Sequence, residues 1–96
     1  MYGLIGSIRC TPGERERLIE ILLEGTRDMP GCRHYVVARD TTDDDAIWIT
    51  EVWDDEESHA ASLGLPAVRD AIERGRPLIA GFDQRVVTEP VEPPPG

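Results

Sequence analysis

The sequence contains neither lysine nor asparagine, and all ten of its basic residues are arginine. Schiff-base chemistry needs a lysine amine and is therefore excluded, as is any site that depends on an asparagine side chain. Cysteine is also scarce, because Cys10 and Cys32 are the only two. Two thiols cannot form a four-thiolate zinc site, and in a reducing compartment we expect both to be free and buried.

Long apolar runs are absent as well, since no stretch approaches the roughly 20 residues that cross a bilayer. Residues 1–7 carry no basic residue and are interrupted by Gly3 and Gly6, unlike a secretory signal. The 96 residues, 40% of them hydrophobic and 30% charged, suit one small globular domain. We expect a soluble, cytoplasmic protein with no membrane partner.

The sequence has far fewer basic than acidic residues. Ten basic residues against nineteen acidic ones leave a formal net charge of −9 at pH 7. A field of this sign repels phosphate backbones and anionic lipid. Nucleic acid is therefore not an expected partner.

The first third of the chain predicts a strand followed by a helix. Apolar residues alternate over Tyr2–Cys10, as in a half-buried strand. Pro12 suits a first helical position and Glu14 completes a capping pattern, so a helix is expected over 12–29. The Pro30-Gly31 pair then ends this helix.

Three more strands are predicted from β-branched and aromatic residues, over 32–40, Ala46–Trp53 and 82–89. The acidic segment 41–45 between the first two lacks the glycine and distal glutamate of a calcium loop and is expected to be a turn. A connection this short makes the two strands antiparallel neighbours.

A second helical region is expected to be broken. Asp54 can cap its start, with Glu57 three residues later. Gly64 interrupts the apolar stripe, Pro66 can restart a helix at its first position, and Gly75 ends the pattern.

The resulting order is βαββαβ, which predicts an α+β ferredoxin-like sandwich with four antiparallel strands and both helices on one face. The third strand is apolar on both sides, with Trp48 and Val52 pointing away from the helices. We expect that helix-free face to pack on a second copy, giving a homodimer. One domain is expected over 1–89, followed by a Pro-rich C-terminal tail over 90–96.

Several of these residues resemble one known family. The Pro30-Gly31-Cys32 step followed by Tyr35, the Glu51-Val52-Trp53 segment that runs into an aspartate, and Pro66 in a broken helix are similar to the antibiotic biosynthesis monooxygenase (ABM) domain family. The segment 58–63 is similar to a quinol monooxygenase-like branch of that family.

The resemblance implies a dimeric α+β barrel built from two ferredoxin-like subunits. It also implies a cofactor-independent monooxygenase that needs no metal and acts on a quinol or a polycyclic hydroxyaromatic substrate. The ligand would lie in a pocket between the sheet and the helices of each subunit.

Carried over by position, the resemblance makes Trp53 and Glu51 pocket residues. The histidine that many members place nine positions after the tryptophan is Ser62 here, and a second common histidine is Ala67. His59 lies one helical turn before Ser62. The asparagine of the haem-degrading branch has no counterpart, so haem degradation is not expected.

His59 is the candidate catalytic base, because oxygenation of a quinol requires removal of a phenolic proton and an imidazole titrates near neutral pH. The alternative is a helix histidine that only packs or faces water. Tyr35 could orient a phenolic substrate, or it could be an interface tyrosine, and Ser62 could hold the second substrate oxygen. His34 precedes Tyr35 on a strand, so the two side chains point to opposite faces.

Trp53 and Glu51 each have two interpretations. The Trp53 ring is either a pocket wall that stacks on an aromatic substrate or ordinary core packing. Glu51 either contacts substrate or is a structural carboxylate bonded to an arginine such as Arg33 or Arg85, because a buried carboxylate needs a partner. No metal ligand set is predicted.

Two functions of other classes share this element order. RNA-recognition domains stack bases on sheet aromatics in a positive field, and the charge of −9 argues against them. A non-catalytic dimeric small-molecule-binding module of the same fold stays open, because Ser62 and Ala67 depart from the family histidines and fold alone does not decide function.

Overall fold

The structure is a computed structural model that describes residues 1–91. Its strands are β1 (Tyr2–Cys10), β2 (Cys32–Arg39), β3 (Ala46–Trp53) and β4 (Ile79–Thr88). Its helices are α1 (Arg15–Gly25), α2 (Glu56–Ser62) and α3 (Pro66–Gly75), with a 3₁₀ turn at Arg76–Leu78. The order confirms the predicted βαββαβ arrangement with a second helix broken into α2 and α3.

The four strands form one antiparallel sheet in the order β2-β3-β1-β4. Alternation along β3 directs Ile47, Ile49, Glu51 and Trp53 to the side that the helices cover, which we call the helix-facing side. Trp48 and Val52 lie half-buried on the opposite, helix-free face. This is the α+β ferredoxin-like fold expected from the sequence.

The core lies between the sheet and the helix layer. Its centre is made of Leu18 from α1 and Ile47 from β3, neither of which is exposed, packed with Ile8 and Ile49. Helices α1 and α3 approach closely at Gly25, where a Cβ atom would collide with Ala71. A larger residue at Gly25 would push the two helices apart, so this glycine determines their spacing.

The start of α1 was predicted three residues too early, and its end too late. Thr11 to Glu14 form a turn instead, because Gly13 has φ +82° and donates its N–H to the Asp45 carboxylate at 3.1 Å. The helix stops at Gly25, after which the Thr26 hydroxyl donates to the Leu22 carbonyl at 2.7 Å. Met29, expected within the helix, therefore lies beyond it.

Other boundaries also move by one to three residues. The cap of α2 is Asp55, whose carboxylate accepts from the Ser58 N–H at 2.7 Å, because the Asp54 carboxylate is taken by Arg33 at 2.6 Å. Strand β4 begins at Ile79 instead of residue 82, and β2 ends at Arg39. The first change lengthens β4 and the second shortens β2. In both cases backbone hydrogen bonding to the neighbouring strand, and not the pattern of side chains, sets where the strand ends.

The predicted C-terminal tail lies only partly within the described residues. Beyond β4, residues 89–91 have no regular structure, and residues 92–96 of the predicted tail lie outside the described residues. The division into a domain over 1–89 and a tail stays a prediction. No helix between residues 1 and 91 is long and apolar enough to cross a membrane, and the cytoplasmic location also stays a prediction.

The turn between β2 and β3 is organised by Asp40. Its carboxylate accepts from the Trp48 indole N–H at 2.8 Å and from the Thr42 backbone N–H at 2.8 Å. The Trp48 hydrogen bond, followed by those from Thr42, lowers the pKa of the Asp40 carboxyl to about 2. The ionised form of Asp40 is therefore favoured by the folded protein.

We expect Asp40→Asn to lower stability at neutral pH, with a difference from the parent protein that shrinks in acid. The pKa of the Asp40 carboxyl is lower in the folded protein than its ordinary value. Ionised Asp40 therefore stabilises the fold in full above about pH 4, and this contribution to the free energy of unfolding is lost as pH falls towards 2. Urea unfolding from pH 7 to pH 2 measures this, with Asp44→Asn in the same turn as the control. A difference that is constant over this range would contradict the assignment.

Candidate functional site

The space between sheet and helices contains two adjoining cavities. The wide cavity has a volume of about 640 Å³ and extends along the sheet to Phe82 on β4. The narrow cavity has a volume of about 120 Å³ and lies at the Trp53 end of β3. They share the lining residues Leu22, Tyr35, Glu51, Leu63, Ala71 and Ile72. Together they form a continuous, mainly apolar pocket of the size that small-molecule sites commonly have.

All five site residues expected from the sequence line the narrow cavity. Strand β3 contributes Glu51 and Trp53, which share the helix-facing side because they are two residues apart. Strand β2 contributes Tyr35, which pairs directly with Glu51. Helix α2 contributes His59 and Ser62, three residues apart and therefore on one helix face.

A hydrogen bond, a ring contact and the approach of His59 to Glu51 organise one end of this cavity. The Trp53 indole N–H donates to Glu51 Oε1 at 3.0 Å. The His59 ring meets the Trp53 ring edge-on, with centroids 5.5 Å apart. His59 Nε2 lies 4.0 Å from the same Glu51 oxygen. The imidazole and the carboxylate thus face each other across a gap slightly wider than a hydrogen bond.

The expected arginine partner of Glu51 was wrong. Arg33 pairs with Asp54 instead, and among residues 1–91 no ion pair joins Glu51 to Arg85. The partner is the indole of Trp53. Sequence reasoning missed it because a tryptophan two positions away was considered as a wall and not as a hydrogen-bond donor.

Tyr35 is held as a neutral phenol. Burial, followed by the negative charges of Glu51 and Cys32, raises the pKa of Tyr35 above its ordinary value. The hydroxyl therefore keeps its proton over the physiological pH range and can donate a hydrogen bond into the cavity. His34 is exposed and pairs with Val52, which lies on the helix-free face, so the predicted separation of His34 from Tyr35 is confirmed.

Ser62 is buried, and its hydroxyl donates to the His59 carbonyl oxygen at 2.6 Å. Its hydrogen is therefore committed to the helix, while its oxygen can still accept a hydrogen bond. Cys32 and Cys10 are free thiols, and burial raises the pKa of each. Neither thiol has the lowered pKa of a nucleophile.

Trp53 is a core residue that also borders the narrow cavity. Its solvent exposure is 0%, which makes it one of the largest fully buried side chains, and its ring is among those that line the cavity. The core-packing interpretation is therefore confirmed, and stacking of the ring on an aromatic substrate stays a prediction.

Tyr2 was not identified from the sequence as part of this site. The centroid of its ring lies 5.6 Å from that of the His59 ring, and Tyr2 does not line the narrow cavity. The alternation of β1 already puts Tyr2 on the helix-facing side, but nothing local indicates where α2 will dock. Within residues 1–91 no group of three or more histidine, cysteine or carboxylate side chains is placed to hold a metal ion.

Comparison with known families gives one match, the family described as antibiotic biosynthesis monooxygenase, over residues 1–74. No curated protein matches the chain.

Solved structures show the same likeness over nearly the whole chain. A protein from Chloroflexus aurantiacus J-10-fl, provisionally named an antibiotic biosynthesis monooxygenase, is 63% identical with a TM-score of 0.94, covering 96% of this chain and 94% of its own. One from Deinococcus radiodurans, named in the same provisional way, is 26% identical with a TM-score of 0.79, covering 97% and 95%. One from Nitrosomonas europaea is 14% identical with a TM-score of 0.85, covering 96% and 100%, and shows the fold alone.

We expect Trp53→Ala to lower the free energy of unfolding by about 3–5 kcal/mol, the cost of truncating a buried tryptophan. Trp53→Phe should lose much less, because it keeps an apolar ring in the same place and removes mainly the N–H donated to Glu51. Urea unfolding of both variants measures the difference. A loss below about 1 kcal/mol in Trp53→Ala would mean that the ring contributes little to the core.

Proposed function

The chain belongs to the antibiotic biosynthesis monooxygenase family, and from this premise we propose that it is a cofactor-independent monooxygenase of a quinol or a polycyclic hydroxyaromatic molecule. The family supports a monooxygenase-like function in general. The observation that carries the finer proposal is the convergence of His59, Glu51, Tyr35, Trp53 and Ser62 on one end of an apolar cavity.

The proposed reaction begins with loss of a phenolic proton, because the electron-rich phenolate is the form that can reduce dioxygen. The phenolate gives one electron to O₂, and the resulting superoxide and substrate radical combine at a ring carbon. Protonation makes a hydroperoxide, which breaks its O–O bond and loses water to leave a carbonyl. For a dihydroxynaphthalene, one quinol and one O₂ become one hydroxyquinone and one water, so atoms and electrons balance.

His59 is the proposed proton acceptor and later the donor to the peroxide. Its Nε2 lies 4.0 Å from Glu51 Oε1, a distance at which the carboxylate attracts the imidazolium formed by proton transfer. Glu51 is itself held in place by the Trp53 N–H. In this scheme Glu51 stabilises the charged base and does not replace it.

The other residues orient the substrate. The neutral Tyr35 hydroxyl is the proposed hydrogen-bond donor to the second substrate oxygen, while the Ser62 oxygen can only accept, since its hydrogen is used by the His59 carbonyl. Trp53 forms an aromatic wall beside the reacting ring. A substrate enclosed by these side chains is shielded from water, which protects the pair formed by superoxide and the substrate radical.

The shape of the pocket supports a substrate larger than a single ring. His59 and Ser62 line only the narrow cavity of about 120 Å³, and Glu51 and Tyr35 line both cavities. The other residues that line the wide cavity of about 640 Å³ are mostly aliphatic or aromatic. A hydroxylated ring would occupy the narrow end and fused rings or an apolar substituent the wide end.

A non-catalytic binding module is the second candidate. It is favoured by Ser62 and Ala67, which stand where many members of the family have histidine. Oxygen uptake with a panel of quinols and hydroxynaphthalenes distinguishes the monooxygenase from the binding module, because only a monooxygenase consumes oxygen with these compounds. Saturable binding of the same compounds without oxygen uptake would support the module.

We further propose that the protein forms a homodimer through the helix-free face. Val36 on β2 and Val86 on β4 are 51% and 48% exposed, and Trp48 and Val52 lie between them on the same sheet. The chain's own helices all pack on the opposite side. A second copy of this acidic chain would therefore pack directly against the sheet and bury these apolar side chains.

We expect His59→Ala to lower the oxygenation rate by about 10²-fold or more, the usual contribution of a positioned base. Chelators should not change the parent rate. His34→Ala, an exposed histidine on the other face, is the matched control. Near-parent rates in His59→Ala would remove this residue from the mechanism.

Light scattering should give a mass of two chains, twice 10.7 kDa. Val36→Arg should shift the protein towards the monomer, because it places a charge in the proposed interface. Leu23→Arg on α1, at a residue 49% exposed, is the matched control and should leave the dimer intact. A parent protein that is monomeric at micromolar concentration would rule out the dimer.

A further inference from the structure

We propose that Tyr2 is a positioning residue for His59 that keeps the imidazole apart from the Glu51 carboxylate. The inference rests on the proposed function, in which His59 is the base. Nothing in the sequence pattern or in the family likeness assigns Tyr2 a role. Three features of the structure support the inference: the two rings that contact His59, the absence of Tyr2 from the cavity lining, and the gap between His59 and Glu51.

The His59 ring contacts two aromatic rings on neighbouring strands. Tyr2 on β1 pairs directly with Trp53 on β3, so both side chains rise from the same side of the sheet. The imidazole contacts Tyr2 with centroids 5.6 Å apart and a 36° tilt, and Trp53 with centroids 5.5 Å apart and a 72° angle. Both distances lie in the range of favourable aromatic pairs.

Tyr2 does not share the substrate space. It is absent from the lining of both the narrow and the wide cavity, whereas His59 and Trp53 line the narrow one. Tyr2 therefore has no direct contact with the substrate space, and its ring contact with His59 is the route proposed here. Tyr35, in contrast, itself lines both cavities.

The backbone of His59 is fixed, so only its side-chain torsions can move the ring. The His59 carbonyl accepts from the Ser62 hydroxyl at 2.6 Å, and the residue lies inside α2. Without the Tyr2 ring, a side-chain rotation could bring Nε2 into direct hydrogen-bond contact with Glu51, which the Trp53 indole holds in place. The present distance of 4.0 Å avoids that contact.

The gap matters because the nitrogen that takes the substrate proton must be free. A direct bond between His59 Nε2 and Glu51 would occupy this nitrogen, whereas a separation of 4.0 Å leaves room for a substrate oxygen beside both groups. Tyr2 would thus act as a spacer: it maintains a base that is near its carboxylate but not bonded to it.

Steady-state kinetics of Tyr2→Leu and Tyr2→Phe test the proposal. Tyr2→Leu removes the aromatic contact and should lower kcat by between about two-fold and ten-fold with an unchanged KM, because substrate contacts are intact. Tyr2→Phe keeps the ring and should retain the parent kcat. Equal losses in both variants, or a change confined to KM, would overturn the spacer role.

A second measurement does not depend on turnover. The chain has two histidines, so their ring-proton NMR signals can be assigned with His59→Ala. Ring currents from Tyr2 and Trp53 should displace the His59 signals from those of exposed His34, and Tyr2→Leu should reduce the displacement while Tyr2→Phe preserves it. Undisplaced His59 signals in the parent protein would refute the ring contact. A displaced signal in a protein that consumes no oxygen would instead refute the proposed function and leave the contact standing.

Discussion

The hydrogen bond from the Trp53 indole to Glu51 is the contact on which the rest of the site depends. A carboxylate beneath a helix layer loses its hydration and needs a donor, and here the donor comes from the same strand, two residues away. Because Glu51 is held in this way, its charge acts on both neighbours that face it. It adds to burial, the main cause, in raising the pKa of Tyr35, and it lies 4.0 Å from His59 Nε2. One bond therefore holds in place a charge that acts on both the donor and the base of the proposed chemistry.

The break between α2 and α3 gives the pocket its shape. Had the second helix continued through Gly64, its straight axis would have carried one apolar stripe over the whole sheet. Instead α2 ends at Ser62 and directs His59 and Ser62 to the Trp53 end, while α3 packs closely on α1 at Gly25. Leu63 and Ile72 are left partly exposed beside the wide cavity. The interrupted helix thus places His59 and Ser62 at the narrow end only, while the wide end is bordered by α3 and β4.

Arginine supplies all the positive charge, and several of these residues tie the connecting segments to the sheet. Arg15 donates to the Asp43 carbonyl at 2.9 Å and joins α1 to the β2–β3 turn, while Arg39 binds Glu16 on α1. Arg33 holds Asp54 at the entrance to α2. Exposed pairs of this kind add little stability each, but their planar geometry favours one position of each loop. The Arg33 pair has the clearest consequence, since it directs the cap of α2 to Asp55 and so sets where His59 lies on the helix.

The bounds of β1 and β3 and the break in the second helix were predicted from the residue pattern alone. These features follow from local rules: alternation assigns Glu51 and Trp53 to one face of a strand, and Gly64 followed closely by Pro66 disfavours a continuous helix. The other side chains of the narrow cavity were expected from the family resemblance. The tertiary structure was needed to find the start of α1, where the Gly13 N–H donates to the Asp45 carboxylate far along the chain. It was also needed to show that Arg33 pairs with Asp54 and leaves Glu51 to the indole two residues away. It alone placed Tyr2 against His59, because residues so distant in sequence meet only when α2 docks on the sheet, and docking depends on the packing of the whole core.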